Sequence, residues 1–361
     1  MRLSTNIAGI ELKNPLLPAS GPLVGDAAKL RYIAALGVGG LVTKTISTQA
    51  AQVQRPCIYG ERDLIMNNEL WSEYPPEQWL TEILPELETD LTIPLIVSVG
   101  YSQTDMETLI PLLDPLAAAF EVSTHYVGND VAAMAATVRT IRAYTDKPFF
   151  MKISPHLPDP AGFARMVKAN GGNGVVAINS LGPTMKVDLA GRRVLLGNPA
   201  GHVWTSGPAI KPLALALVHQ IKEAEPDLTV IGVGGVKTAA DVLEFLLAGA
   251  DAVQMLSAAL LYGKDLYRRL VDDLPKALDE YGFDSVAQVI AARLTRRKPQ
   301  YEPAVPVVEA GRCSGCRLCE KVCPYFAIRY EGRVVVDPGQ CFGCGLCESR
   351  CPAGAISGVF G

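Results

Sequence analysis

Val230-Ile231-Gly232-Val233-Gly234-Gly235-Val236 and, one helical stretch later, Ala252-Val253-Gln254-Met255-Leu256-Ser257-Ala258 decide how the larger part of this chain folds. Each is a short, β-branched apolar run that breaks into glycine or serine where a helix is about to begin. Six more runs of the same kind precede them, near Leu16-Leu17-Pro18-Ala19, Gly40-Leu41-Val42-Thr43, Leu95-Ile96-Val97-Ser98, Ala119-Phe120-Glu121-Val122, Phe149-Phe150-Met151-Lys152 and Gly174-Val175-Val176-Ala177-Ile178. Segments of helical periodicity separate them, so the pattern is a repeated βα unit around a parallel sheet. Eight such units close into a TM-free α/β architecture, the TIM (β/α)8 barrel. The competing open, doubly wound sheet needs a dinucleotide fingerprint in its first βα turn, where this chain has Pro18-Ala19-Ser20-Gly21. The strands end at Ser20, Lys44, Ser98, Thr124, Lys152, Asn179, Gly234 and Ser257, which a barrel is expected to gather on one face.

The other decisive stretch is the tail. Cys313-x2-Cys316-x2-Cys319-x3-Cys323-Pro324 is repeated as Cys341-x2-Cys344-x2-Cys347-x3-Cys351-Pro352, around a hairpin-forming Ile328 to Val336. This is the two-cluster bacterial ferredoxin spacing, in which three close thiolates hold one 4Fe-4S cubane and the fourth cysteine crosses to the other. Cluster one is expected to take Cys313, Cys316, Cys319 and Cys351, and cluster two Cys341, Cys344, Cys347 and Cys323. Paired zinc sites are the alternative, but zinc has no use for a third CxxC step followed by x3-Cys-Pro in both halves. The reading is therefore residues 1–297 as barrel, 298–310 as a Pro-rich linker, and 311–361 as a small α+β ferredoxin-like domain. Lysine and arginine balance aspartate and glutamate at six each from Glu302 onward, as suits a docked relay more than a free acidic carrier.

Composition narrows the functional classes. At 361 residues the chain exceeds one ordinary domain, and its net charge of −4 with no basic stripe argues against a nucleic-acid partner. Gly, Pro or charge interrupts every apolar run, so no membrane span is expected. Eight of nine cysteines crowd into the tail, and the N-terminal residues carry no secretory pattern, which together point to metal over disulfides and to a cytoplasmic, reducing setting.

A one-electron wire must end at a group that converts single electrons into two-electron chemistry, and flavin is the usual converter. The turns after strands seven and eight sit where barrels bind phosphate through backbone N–H groups. Lys152, at a strand end, is placed to put a cation beside a flavin's N1/O2 edge and so favour hydride acceptance.

Asn14-Pro15 leading to Ala19-Ser20-Gly21, Thr43-Lys44-Thr45, Lys147-Pro148 leading to Lys152, Ile178-Asn179-Ser180, Ser206-Gly207-Pro208-Ala209-Ile210-Lys211-Pro212 and the two phosphate turns resemble the class 1 dihydroorotate dehydrogenases. The likeness extends to the FMN half of dihydropyrimidine dehydrogenases, which also ends in a two-cluster ferredoxin domain. It implies FMN lined by Ala19, Ser20, Lys44 and Thr45, with Lys152 at N1/O2 and Ile178 and Asn179 touching ring and substrate. Gly207, Gly234, Gly235, Leu256 and Ser257 would hold the phosphate. A homodimer is also implied.

The chain departs from that family in two loops: the second-strand loop, Met66-Asn67-Asn68-Glu69-Leu70-Trp71, keeps an Asn but loses the expected Gly-Leu-x-Asn, and the other departure follows strand four. Members acting on pyrimidines carry an Asn-x-Ser-Cys-Pro-Asn type of run after strand four, and here it reads Glu121-Val122-Ser123-Thr124-His125-Tyr126, with Thr124 in place of the acid/base cysteine. A polar clamp that loses its partners rejects its old ligand strongly. The expectation is a flavin oxidoreductase acting on a C–C/C=C pair of another small polar molecule. Asn67, Glu121, Tyr126, Asn179 and Ser180 would contact that substrate, and Thr124, His125, Tyr126 or Glu121 would supply the proton, His125 having the best basicity. The clusters would exchange electrons with an NAD(P)H-oxidising flavoprotein or a ferredoxin, since the chain has no nicotinamide fingerprint. The alternatives are a dihydropyrimidine dehydrogenase subunit and an electron-transfer subunit whose flavin is only a relay.

Overall fold

The computed structural model describes residues 2–88, 91–124 and 130–360. The chain divides into two compact units, Met1–Leu294 and Thr295–Gly361.

The first unit is built on eight short parallel strands: β1 Leu16–Pro18, β2 Leu41–Val42, β3 Leu95–Val99, β4 Ala119–Ser123, β5 Phe149–Ile153, β6 Gly174–Ala177, β7 Thr229–Val233 and β8 Ala252–Met255. Their hydrogen-bonded order is β1-β8-β7-β6-β5-β4-β3-β2, with every pairing parallel. The Gly39 N–H donates to the Leu16 carbonyl at 2.8 Å, which brings the two end strands together and makes the sheet a nearly closed barrel. All residues of these strands are buried, because helices cover the outside and side chains fill the inside, and this is why they read as unbroken apolar runs.

Alternation along each strand sorts the core into two layers. One face meets the helices; the other points into the lumen, where Leu17, Val42, Ile96, Ala119, Phe150, Val176, Ile231 and Ala252 pack together. Phe150 is fully buried there, and truncating it to alanine would cost on the order of 3–5 kcal/mol. A hairpin of Thr5–Ile7 and Ile10–Leu12, absent from the sequence reading, adds Ile7 and Leu12 to the same cluster, and Thr5 donates its hydroxyl to the Asp251 carbonyl just before β8. It thereby plugs the N-terminal end of the barrel and leaves the other end open.

Two of the outer helices start with reciprocal caps: Ser102 with Asp105 ahead of Gln103–Leu113, and Thr238 with Asp241 ahead of Ala239–Ala248. Each satisfies backbone N–H groups that a helix start would otherwise strand. The helix expected from Lys264 to Tyr281 runs Leu266–Glu280, and Gly282 follows with φ +74, a conformation that ends helices cheaply only in glycine. An antiparallel sheet of Leu181–Thr184, Val203–Ser206, Ile65–Asn67 and Ile58–Gly60 is added over the loops at the open end.

The second unit contains the hairpin Ile328–Tyr330/Val334–Val336, the helices Leu318–Val322 and Leu346–Ser349, and a pairing of Val307–Val308 with Ile356–Ser357. Part of the extended stretch 298–310 is thus a strand of this unit. No helix among the described residues is long and apolar enough to cross a membrane.

Candidate functional site

The side chains on the lumen face change character toward the open end. Two residues beyond lumen-facing Ala119, Phe150 and Ala252, the same face carries Glu121, Lys152 and Gln254. Lys152 Nζ lies 3.1 Å from Glu121 Oε1, and Gln254 Nε2 donates to Glu121 Oε2 at 2.6 Å, so one buried carboxylate is held on both oxygens. Such a pair is sustained only because the partners and hydrogen bonds compensate for lost water.

Above this layer opens a cleft enclosing about 1230 Å3, including its open mouth. The strand ends supply its floor: Ala19 and Ser20 after β1, Lys44 and Thr45 after β2, Lys152 from β5, Ile178 and Asn179 after β6, Gly234 and Gly235 after β7, and Leu256 and Ser257 after β8. The antiparallel sheet supplies a wall through Ile58, Ile65, Asn67, Trp204 and Ser206, with Gly207 and Ser180 beside it. Every residue expected to line a flavin therefore borders one cleft, together with Asn67 and Ser180 from the expected substrate set.

Four residues of the expected catalytic and substrate set stand otherwise. Glu121 does not border the cleft; it is buried beneath it as the counter-charge of Lys152. Thr124 is buried as well, its hydroxyl donating to the Lys152 carbonyl at 2.6 Å. His125 and Tyr126 lie outside the described residues. Ser98, one of the strand-end residues, is fully buried in the lumen and hydrogen-bonded to Thr45 at 3.0 Å.

The geometry also brings together pairings that sequence reading did not give. Lys44 Nζ sits between Glu69 Oε2 at 3.0 Å and Glu73 Oε2 at 2.7 Å. Glu73 loses some solvation by burial, yet its hydrogen bond and charge contact with Lys44 outweigh this and hold its carboxyl below the usual range. Ser206 and Ser257 hydroxyls meet at 2.8 Å, tying the wall to the turn after β8. No short-range pattern announces these contacts, because each joins segments far apart in sequence.

The residues present fit FMN. Gly207, Gly234 and Gly235 have φ of +101, +130 and +87, and a Cβ on Gly235 would lie 2.7 Å from Lys211 Cβ, so the turn stays bare and its backbone open to a phosphate. Apolar Ala19, Ile178 and Leu256 offer faces to a flat ring, and Lys152 is a buried cation at its floor.

In the second unit Cys323, Cys341, Cys344 and Cys347 line one small cavity, the four expected for cluster two. Cys319 and Cys347 share a core with Ile328 and Ile356, and Cys323 and Cys351 pack against it. Burial pushes the Cys319 and Cys347 thiols up, whereas the Leu318 N–H and the Ser314 hydroxyl pull Cys316 down. The Cys319 thiol also feels the charges of Cys313 and Cys316, the other members of its run.

Residues 2–278 match the family model described as dihydroorotate dehydrogenase, and residues 295–355 match that of a 4Fe-4S dicluster domain. The chain belongs to the dihydroorotate dehydrogenase family. Similar members include dihydroorotate dehydrogenase A (fumarate) of Lactiplantibacillus plantarum, 33% identical over 80% of this chain and 98% of that protein. The catalytic subunits of dihydroorotate dehydrogenase B (NAD(+)) from Thermococcus kodakarensis and Pyrococcus abyssi are each 32% identical over 81% of this chain, covering 98% and 99% of those proteins. The family consists of flavin-dependent oxidoreductases that act on CH–CH bonds and bind FMN, and the dicluster domain adds two 4Fe-4S clusters. The chain is thus an oxidoreductase of this type with an appended iron–sulfur module.

Proposed function

We propose that the chain oxidises or reduces a C–C/C=C pair in a small polar substrate other than a pyrimidine carboxylate, and exchanges the electrons with a partner protein through its two clusters. Bound FMN would accept or give hydride at the substrate and pass single electrons onward. Ala19, Ser20, Lys44, Thr45, Ile178 and Leu256 would seat the ring, and Gly207, Gly234, Gly235 and Ser257 its phosphate. Lys152 would hold positive charge at the ring edge, where reduction builds negative charge. Asn67, Asn179 and Ser180 would orient the substrate above it.

The observation that carries this reading is the retained cleft: Lys152, Asn179, Ser180 and Asn67 border one cavity at the open end of the strands. A pure relay needs no positioned substrate groups. The proton falls to the loop beginning at Thr124, within which His125 has the suitable basicity, because the Thr124 hydroxyl is already donated to the Lys152 carbonyl. The electron partner would be an NAD(P)H-oxidising flavoprotein or a ferredoxin, and the chain would work as a homodimer.

Anaerobically purified protein should retain its natural ligand or product, identifiable by mass spectrometry, and that compound should bleach or restore the flavin absorbance in a single turnover. A flavin that exchanges electrons with the clusters but responds to no co-purified or supplied C–C/C=C substrate would establish the relay reading instead.

A further inference from the structure

Among the described residues, the titratable side chains bordering the cleft are Lys44, Glu69, Tyr101 and Lys152. Neither lysine offers an uncommitted charge. Lys152 is matched by Glu121 at 3.1 Å. Lys44, whose side chain is only 4% exposed, is matched twice, by Glu69 at 3.0 Å and Glu73 at 2.7 Å. Glu69 is itself fixed: its other oxygen accepts a hydrogen bond from the Cys57 thiol at 3.2 Å, and its backbone N–H donates to Asn67 Oδ1 at 3.2 Å. Two lysines against three glutamates leave the cleft and the groups touching it one negative charge in excess.

We propose that Glu69 sets the charge class of the substrate, so that the cleft takes a neutral or amine-bearing molecule and turns away a carboxylate. This rests on the cleft being the substrate site of the flavin enzyme. A carboxylate entering beside Lys44 meets Glu69 on the cleft wall and must either displace it or share the lysine with two acids already there. Beside the buried Lys44 ammonium either course is costly, because like charges at contact are poorly screened where water is scarce. A ring N–H or an amine meets the same carboxylate as an acceptor and gains a charge-assisted hydrogen bond. Sequence reading placed Glu69 in a loop that departs from the family run, and its pairing with Lys44 gives that departure a chemical purpose.

The test uses the full-length, FMN-loaded chain and two probes that differ only in a carboxylate, orotate and uracil, with binding read from the flavin absorbance. Glu69→Gln should strengthen orotate binding at least tenfold while uracil, which loses the charged acceptor for its ring N–H, binds no more tightly than to the native chain. Glu73→Gln, at the more exposed of the two acids on Lys44, should move orotate the same way by a smaller factor. Unchanged orotate affinity in both variants would overturn the proposal, as would a native chain that binds orotate more tightly than uracil. A native chain that purifies without flavin would instead contradict the cofactor reading, so the two failures are told apart by the visible spectrum.

Discussion

Replacing Glu121 by Gln tests how the buried pair beneath the cleft governs the flavin. The substitution keeps the shape of the side chain but removes the charge 3.1 Å from Lys152 Nζ. At an effective dielectric of about 20, two unit charges at that separation interact by about 5 kcal/mol. Stranding the lysine in a buried site is expected to cost the flavin-free protein about 3–5 kcal/mol. The same unmatched cation then faces the flavin edge without its counter-charge, and reduction becomes easier. If a quarter of the gross interaction reaches the ring, just over 1 kcal/mol, the reduced form gains about tenfold, equal to about 30 mV for a two-electron couple. An anaerobic spectroelectrochemical titration should show the Glu121→Gln midpoint shifted upward by at least about that amount. Glu121→Asp, which keeps the charge, should stay near the native potential. A midpoint that does not move, or that falls, in Glu121→Gln would refute the electrostatic reasoning.

Three further outcomes follow from the same geometry. Gly235→Ala forces a side chain onto a backbone at φ +87, with its Cβ 2.7 Å from Lys211 Cβ and 2.9 Å from Lys211 N; it should lower stability by about 1–3 kcal/mol and reduce flavin content per chain, both measurable on one purified sample. Burial disfavours the charge on Asp105, but hydrogen bonds from the Tyr101 and Ser102 backbones and from Thr48 outweigh it and hold the carboxyl below its ordinary value. That stabilisation is full above the unfolded carboxylate value of about 3.9 and disappears as pH falls through the lower folded one. Asp105→Asn should therefore cost about 1–2 kcal/mol in urea unfolding at pH 7, with the gap to the native protein closing below about pH 4. Cys323→Ser removes one of the four cysteines lining the second-unit cavity, and should cut the iron content from about eight to about four per chain by elemental analysis.

The eight strands were legible because each is buried on both faces and reads as an apolar run, and the cysteine spacing carried the ferredoxin unit without help from tertiary structure. The plug at Thr5–Ile7 and Ile10–Leu12 and the sheet over the open end escaped notice because their strands are only three or four residues long and most of the sheet's partners lie far along the chain. Cleft-lining residues could be read from motifs at strand ends. What motifs do not encode is which acid neutralises which lysine. Glu121 stood in a loop run associated with substrate contact, yet alternation from Ala119 turns it into the lumen toward Lys152. Lys44 was expected to line the flavin, and only the fold brings Glu69 and Glu73 to it.

The most direct test of the whole account is cofactor stoichiometry on anaerobically purified full-length protein. One FMN per chain, released on acid precipitation, with about eight iron and eight sulfide atoms is the predicted result. Colourless protein containing zinc in place of iron, and no releasable flavin, would contradict it.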